Sequence, residues 1–247
     1  VWAGGGEVYA VGDGGLLLRR AEDRWQTLPS DCYEDLWGIA GSESKDLVLV
    51  GNRRTVVRFD GARGKEAVIG NHGFRDVWAA GREQVWAVGL GGDVARLTPG
   101  GWRLESAGTF ADLNGVAGHG EEIVAVGAGG TGLERRAKGW GPVGGGTWQR
   151  LVAVVGGANK GEAWALGESG TLLHRVGSKW QNAGALPRGR YRDLSRQGGA
   201  LAAVGDRGLL VVRRGGGWQR LATESPEDLT AVWTWGTGGV AVGTRGT

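Results

Sequence analysis

The chain has 247 residues, with 29 basic against 26 acidic side chains and a net charge of +3, a field too weak to point to nucleic acid. Its one cysteine, Cys32, excludes an internal disulfide framework and any multi-cysteine metal site. No apolar run reaches the roughly 18 residues of a membrane-spanning helix, and no basic, then apolar, leader opens the chain. Beginning at Val1 rather than Met, the sequence reads as a processed chain or a piece of a longer one.

In chain order, a Val-Gly or Leu-Gly pair recurs, its glycines being Gly12, Gly51, Gly89, Gly127, Gly167, Gly205 and Gly243. Each ends a short apolar run, such as Val8–Val11, Val85–Val88, Ile123–Val126 or Leu201–Val204. Runs of this length, bounded by glycine and rich in Val and Trp, predict buried strands. A second apolar segment follows each glycine, as in Leu16–Leu18, Leu172–Leu173 and Leu209–Val212. A tryptophan closes a third segment in most units, at Trp25, Trp102, Trp140, Trp180 and Trp218. The segment leading into each unit is usually opened by Asp (Asp35, Asp76, Asp112, Asp193, Asp228), while Arg150-Leu151 breaks that habit.

Each unit therefore holds four strands joined by glycine-rich turns. Four antiparallel strands cannot bury both faces alone, so neighbouring units must stack. A repeat of 38 to 40 residues with four strands predicts an all-β propeller of four-stranded antiparallel blades. No stretch carries a helical apolar period long enough for a helical solenoid. The units fall at about 1–30, 31–70, 71–106, 107–146, 147–186, 187–222 and 223–247, within one propeller domain over 1–247. Seven blade positions are expected, the last incomplete: either residues upstream of Val1 or downstream of Thr247 supply its outer strands, or its open edge is available to another chain.

The pattern Asp-Val-Trp-Ala … Val-Trp-Ala-Val-Gly-x-x-Gly … Arg … Gly-Trp, seen at Asp76–Ala79 and Val85–Gly92, resembles repeats of bacterial extracytoplasmic propellers of the myxobacterial type. It is more distantly similar to propellers of the photosystem II assembly-factor and BNR/Asp-box types. The resemblance covers the whole chain and implies a fold rather than an activity. A full Asp-box is absent, Gly146-Thr147-Trp148 coming nearest, so no sialidase residues carry over.

An aromatic precedes the Asp position in five units: Tyr33, Phe74, Phe110, Trp148 and Tyr191. Such a set at one mouth would stack on sugars or receive a partner's side chains. The alternative is that each ring wedges between blades while the Asp caps a backbone N–H. The Gly-x-x-Gly turns are hairpin turns needing positive φ, not phosphate loops, because a strand and not a helix follows them. A basic ladder (Arg19, Arg20, Arg58, Arg96, Arg135, Arg136, Arg175, Arg213, Arg214) either greets an anionic surface or pairs with nearby acids. His72, His119 and His174 lie in different units without ligand spacing, so no metal or other cofactor is expected, and no catalytic residue is assigned. Cys32, flanked by Asp31, Glu34 and Asp35, is expected to be inert. The glycine-rich insertion at 141–146 is either a functional loop or a plain linker.

These readings point to a non-enzymatic scaffold or partner-binding propeller, a subunit of an extracytoplasmic bacterial assembly. Its partners would be other protein subunits, with no nucleic acid. The second reading is a lectin binding glycan through the aromatic turns, and the third is a hydrolase or lyase.

Overall fold

The computed structural model describes residues 1–247 except Asp23, Gly145, Gly198 and Thr237. Its regular structure is strand, interrupted only by three-residue 3-10 turns. Blade one comprises β1 (Trp2–Gly4), β2 (Glu7–Val11), β3 (Leu17–Ala21) and β4 (Arg24–Leu28). Blade two is β5 (Leu36–Glu43), β6 (Asp46–Gly51), β7 (Thr55–Phe59) and β8 (Gly64–Val68). Blade three is β9 (Phe74–Gly81), β10 (Gln84–Gly89), β11 (Asp93–Thr98) and β12 (Gly101–Ser106). Blade four is β13 (Leu113–His119), β14 (Glu122–Gly127), β15 (Gly132–Arg136) and β16 (Gly139–Pro142). Blade five is β17 (Leu151–Gly156), β18 (Glu162–Gly167), β19 (Thr171–Val176) and β20 (Lys179–Ala185). Blade six is β21 (Tyr191–Gln197), β22 (Ala200–Gly205), β23 (Leu209–Arg214) and β24 (Gly217–Leu221). In each blade, strands pair in chain order, as the four-segment repeat predicts.

The expectation of seven blade positions is corrected: the protein is an all-β propeller with six four-stranded antiparallel blades. The remaining strands, β25 (Leu229–Trp235) and β26 (Gly238–Gly243), pair only with each other among the described residues. Two strands bury one seam, not two faces, so the hairpin is an appendage of blade six. It is tied there by side chains. The Asp193 carboxylate accepts the Val232 N–H at 2.8 Å, and the Ser195 hydroxyl accepts the Thr234 N–H at 3.0 Å.

Residues 1–116 with 136–141 form one compact unit, and 117–135 with 142–247 form a second. Within the first, Phe74 sits in a core with Val48, Val50 and Val56 of blade two and Val85, Ala87 and Ala95 of its own blade. Within the second, Tyr191 is packed among Leu166, Leu172 and Leu186 of blade five and Leu201, Ala203 and Leu209 of blade six. The core thus lies between successive sheets, and the second strand of each blade is its spine; all six residues of β6 are buried. Part of the glycine-rich insertion continues this order. Gly141 and Pro142 close β16, and buried Val143 donates its N–H to the Gly132 carbonyl at 2.9 Å; Gly145 lies outside the described residues.

The Tyr191 hydroxyl donates to the Pro187 carbonyl at 2.7 Å, and burial pushes its pKa up from 10.0 to about 12. The unfolded chain releases this proton near the lower value and the folded chain near the higher. Stability that is whole below pH 10 is therefore lost as pH rises toward 12, by about 2–3 kcal/mol. Denaturant midpoints across that window should fall steeply in the parent protein and more shallowly in Tyr191→Phe; parallel slopes would refute the assignment. Truncating the other buried ring, Phe74→Ala, should cost about 3–5 kcal/mol at neutral pH.

Candidate turn-face site

Two sets of turns meet beside each other in the repeat. One joins strands two and three of a blade; the other joins strand four to the next blade. Their contact explains the Gly-x-x-Gly glycines. Gly15 (φ +76°) lies against the Cys32 carbonyl, and a Cβ there would sit 1.8 Å from that oxygen. Gly92, Gly130 and Gly208 stand in the same relation to the carbonyls of Thr109, Thr147 and Ser225. Only glycine tolerates both the positive φ and the approach.

The residue supplying that carbonyl also braces its own turn. Thr109, Thr147 and Ser225 accept the N–H two residues on through their hydroxyl oxygens, at 3.1 Å in each case. Cys32 does the same through Sγ, accepting the Glu34 N–H at 3.3 Å. Its thiol is buried, and burial pushes its pKa up. Cys32 is thus a turn residue in a Ser/Thr position. Asp35, Asp112 and Asp228 complete the contact by accepting the N–H groups of Gly14, Gly91 and Arg207 at 2.9, 2.9 and 3.0 Å.

Asp76 and Asp193 differ. They lie within β9 and β21, opposite Val88 and Val204, and bridge consecutive first strands. Asp76 accepts the Val116 N–H at 2.9 Å, as Asp193 does that of Val232. Burial pushes the Asp193 carboxyl up. This offset divides the five sequence-selected aromatics. Phe74 and Tyr191 pair with Gly89 and Gly205, the place held by Leu36 opposite Gly51 and Leu229 opposite Gly243. They are accordingly buried, at 0% and 1% exposure. Tyr33, Phe110 and Trp148 occupy the turn itself, three residues before Leu36, Leu113 and Leu151, at 93%, 95% and 93% exposure. Asn71, Arg188 and Pro226 hold the matching positions in the other turns.

A further set of side chains escaped the sequence reading. The register of the first strand slips by one residue immediately after its opening apolar side chain. The slip throws out Trp37, Arg75, Val152, Arg192 and Thr230, as bulges do where a side chain is re-aimed. In the first unit, the Arg75 guanidinium lies over the Trp37 ring, 4.7 Å from its centroid. In the second, Arg192 reaches Asp206 at 2.5 Å and Asp228 at 2.8 Å, while Arg190 binds Glu168 through Nε and Nη2 at 2.8 and 2.7 Å. The Arg207 N–H, with Arg192 beside it, holds the Asp228 carboxyl below the usual carboxylate range. The available signal was variability: between opening apolar residues and the strand interior, this one position changes freely in type.

No group of three His, Cys, Asp or Glu side chains suited to a metal ion occurs among the described residues. His174 stacks on Trp164 at 3.9 Å and meets Glu162 at 3.1 Å. Among the described residues, no helix is long and apolar enough to cross a membrane.

No family model matches the chain, and no curated protein sequence matches it significantly. Solved structures do. A structure of YCF48 bound to D1 peptide has a TM-score of 0.74 at 16% identity, covering 95% of this chain and 84% of that one. YCF48 from Cyanidioschyzon merolae matches at 0.74 and 16%, covering 96% and 88%. The WD40 β-propeller domain of Doa1 matches at 0.76 and 11%, covering 92% and 82%. At such identities the likeness is one of fold, and that fold is the β-propeller.

Because Cys32 stands where Ser225 does the same work, Cys32→Ser should melt within about 1 kcal/mol of the parent. Cys32→Ala should lose more, having no acceptor for the Glu34 N–H. A thiol-reactive disulfide reagent should label the parent only as fast as it unfolds; immediate labelling would contradict the buried turn role.

Proposed function

We propose that the protein is a non-enzymatic, partner-binding propeller that receives another protein through exposed aromatic turns, those at Tyr33 and Phe110 in the first compact unit and that at Trp148 in the second, each taken by itself. The observation that carries this reading is the exposure of Tyr33, Phe110 and Trp148. Each projects from a turn whose backbone is already fixed by its own hydrogen bonds and by the glycine contact below it. Rigid, solvated rings lose little entropy on binding, and Tyr and Trp are enriched among residues that dominate interfaces. Acidic groups of the same turns are committed to backbone N–H groups or arginines, which leaves them ill suited to proton transfer. That one propeller of similar fold is described as bound to a peptide supports the same reading. Membership of an extracytoplasmic bacterial assembly is part of the proposal and rests on the repeat resemblance.

The test is selection of peptides from a random display library on the immobilised parent protein. Each peptide so recovered should lose at least about tenfold in affinity when the ring it contacts is removed, by Tyr33→Ala or Phe110→Ala in the first unit or by Trp148→Ala in the second, equivalent to about 1.4 kcal/mol. Thermal melts of these variants should stay within about 0.5 kcal/mol of the parent, since the rings pack on nothing. Peptides that bind all three variants as tightly as the parent would overturn the reading.

A further inference from the structure

Three arginines of the basic ladder, Arg19, Arg58 and Arg175, meet acids within the fold. Along the sheet of blade one, Trp2, Tyr9, Arg19 and Gln26 stand in cross-strand register, and Glu7 neutralises Arg19 at 3.5 Å. In blade two, Arg58 is held by Asp46 at 2.7 Å. In blade five, His174 faces Glu162, and Gln181 stands beyond it. Arg175, 3% exposed, reaches Glu134 of blade four at 3.1 Å. An acid two residues before the middle rung (Glu7, Asp46, Glu162) thus faces the Arg or His on strand three, and the fourth rung is uncharged in blades one and five.

Blade three breaks both habits. Its rungs are Trp78, Trp86, Arg96 and Arg103. Gln84 occupies the acid's place, and Arg103 stands where Gln26 and Gln181 do. Arg96 lies over Trp86, 5.1 Å from the ring centroid, with its Nε buried and without a hydrogen-bond partner. Trp86 meets the edge of Trp140, whose indole N–H donates to Glu105 at 3.1 Å. Among the described residues, neither arginine has a carboxylate partner. Like charges directly opposite on neighbouring strands repel, and of this pair Arg103, on the outer strand, is exposed to solvent. Both line a cavity of about 520 Å³, with Thr98, Pro99, Leu104 and Glu105 as its other principal walls. That volume suits a small molecule, and Pro99 and Leu104 offer it an apolar side.

We infer that this cavity binds a small organic oxyanion, a phosphate or carboxylate bearing an apolar group, with Arg96 and Arg103 gripping the anionic end. Guanidinium forks match such oxygens in pairs. The site lies toward the turn between strands three and four, at the other end of β11 from the aromatic turns, and its occupancy is independent of a partner there.

Phenyl phosphate is the probe, followed through the indole N–H resonances of Trp86 and Trp140. Expected is a saturable shift, weakened at least about tenfold by Arg103→Gln and by Gln84→Glu. Each variant restores the residue type of a sister blade, so both should fold. Without ligand they should melt at or above the parent temperature, by up to about 2–4 °C, because the repulsion is relieved. Arg214→Gln, an exposed arginine near the corresponding end of blade six, should leave binding unchanged. Absence of saturation by about 10 mM would overturn the inference, as would equal weakening by Arg214→Gln. Shifts produced by an acidic peptide and not by phenyl phosphate would also overturn it.

Discussion

The fold depends on a backbone-to-backbone contact rather than on any side-chain cluster. At four places a glycine of the strand-two to strand-three turn lies beneath the carbonyl that begins the crossing to the next blade. The carbonyl can come so close because the glycine lacks a Cβ, and the crossing holds its shape because a Ser, Thr or Cys acceptor braces it. Where an Asp follows, its carboxylate takes the N–H next to that glycine and locks the two turns together. Adjacent sheets are thus placed before their apolar faces contribute, and the Leu, Phe or Tyr that opens the next strand enters the core at a fixed height. The exposed rings at 33, 110 and 148 are a consequence of the same geometry, since they stand on the outermost point of a crossing that cannot sag.

The repeat was legible because its marks answer hard sterics. A glycine under a carbonyl admits no substitute, and a Val-rich second strand buried on both faces admits few, so the period survives whatever else changes. The Asp mark was less trustworthy because one residue type does two jobs. Asp35, Asp112 and Asp228 cap a turn, 15 or 16 residues before the marker glycine, whereas Asp76 and Asp193, 13 and 12 residues before it, clamp neighbouring first strands. Reading both as one mark placed Phe74 and Tyr191 in the turn, when their distance to the glycine already put them in the strand. The blade count went astray for a related reason. Sequence periodicity counts segments, whereas a blade is defined by what its strands pair with, and among the described residues β25 and β26 pair only with each other. The bulged residues were invisible because a slipped register leaves no trace in composition.

In a chain assembled from one motif, agreement among units reports what folding requires, and departure from it reports what is left over for chemistry. The arginines near the ends of the third strands look alike in sequence, yet Arg19, Arg58 and Arg175 each meet an acid. Even the arginine-rich turns of blades five and six are closed in this way, through Glu168, Asp206 and Asp228. The modest net charge of +3 is therefore not spread evenly as a basic surface.

Blade three shows how little sequence change is needed to alter that balance. Replacing one acid by Gln84 removes a charge that sister blades supply, and replacing one glutamine by Arg103 adds another of the opposite sign. Neither change disturbs the strand pairing, because both side chains project from the sheet and the ladder of backbone hydrogen bonds is indifferent to them. The cost falls on electrostatics, with Arg96 stacked on an indole and Arg103 opposite it in register on the outer strand. An oxyanion in the cavity would meet both guanidiniums and relieve that repulsion.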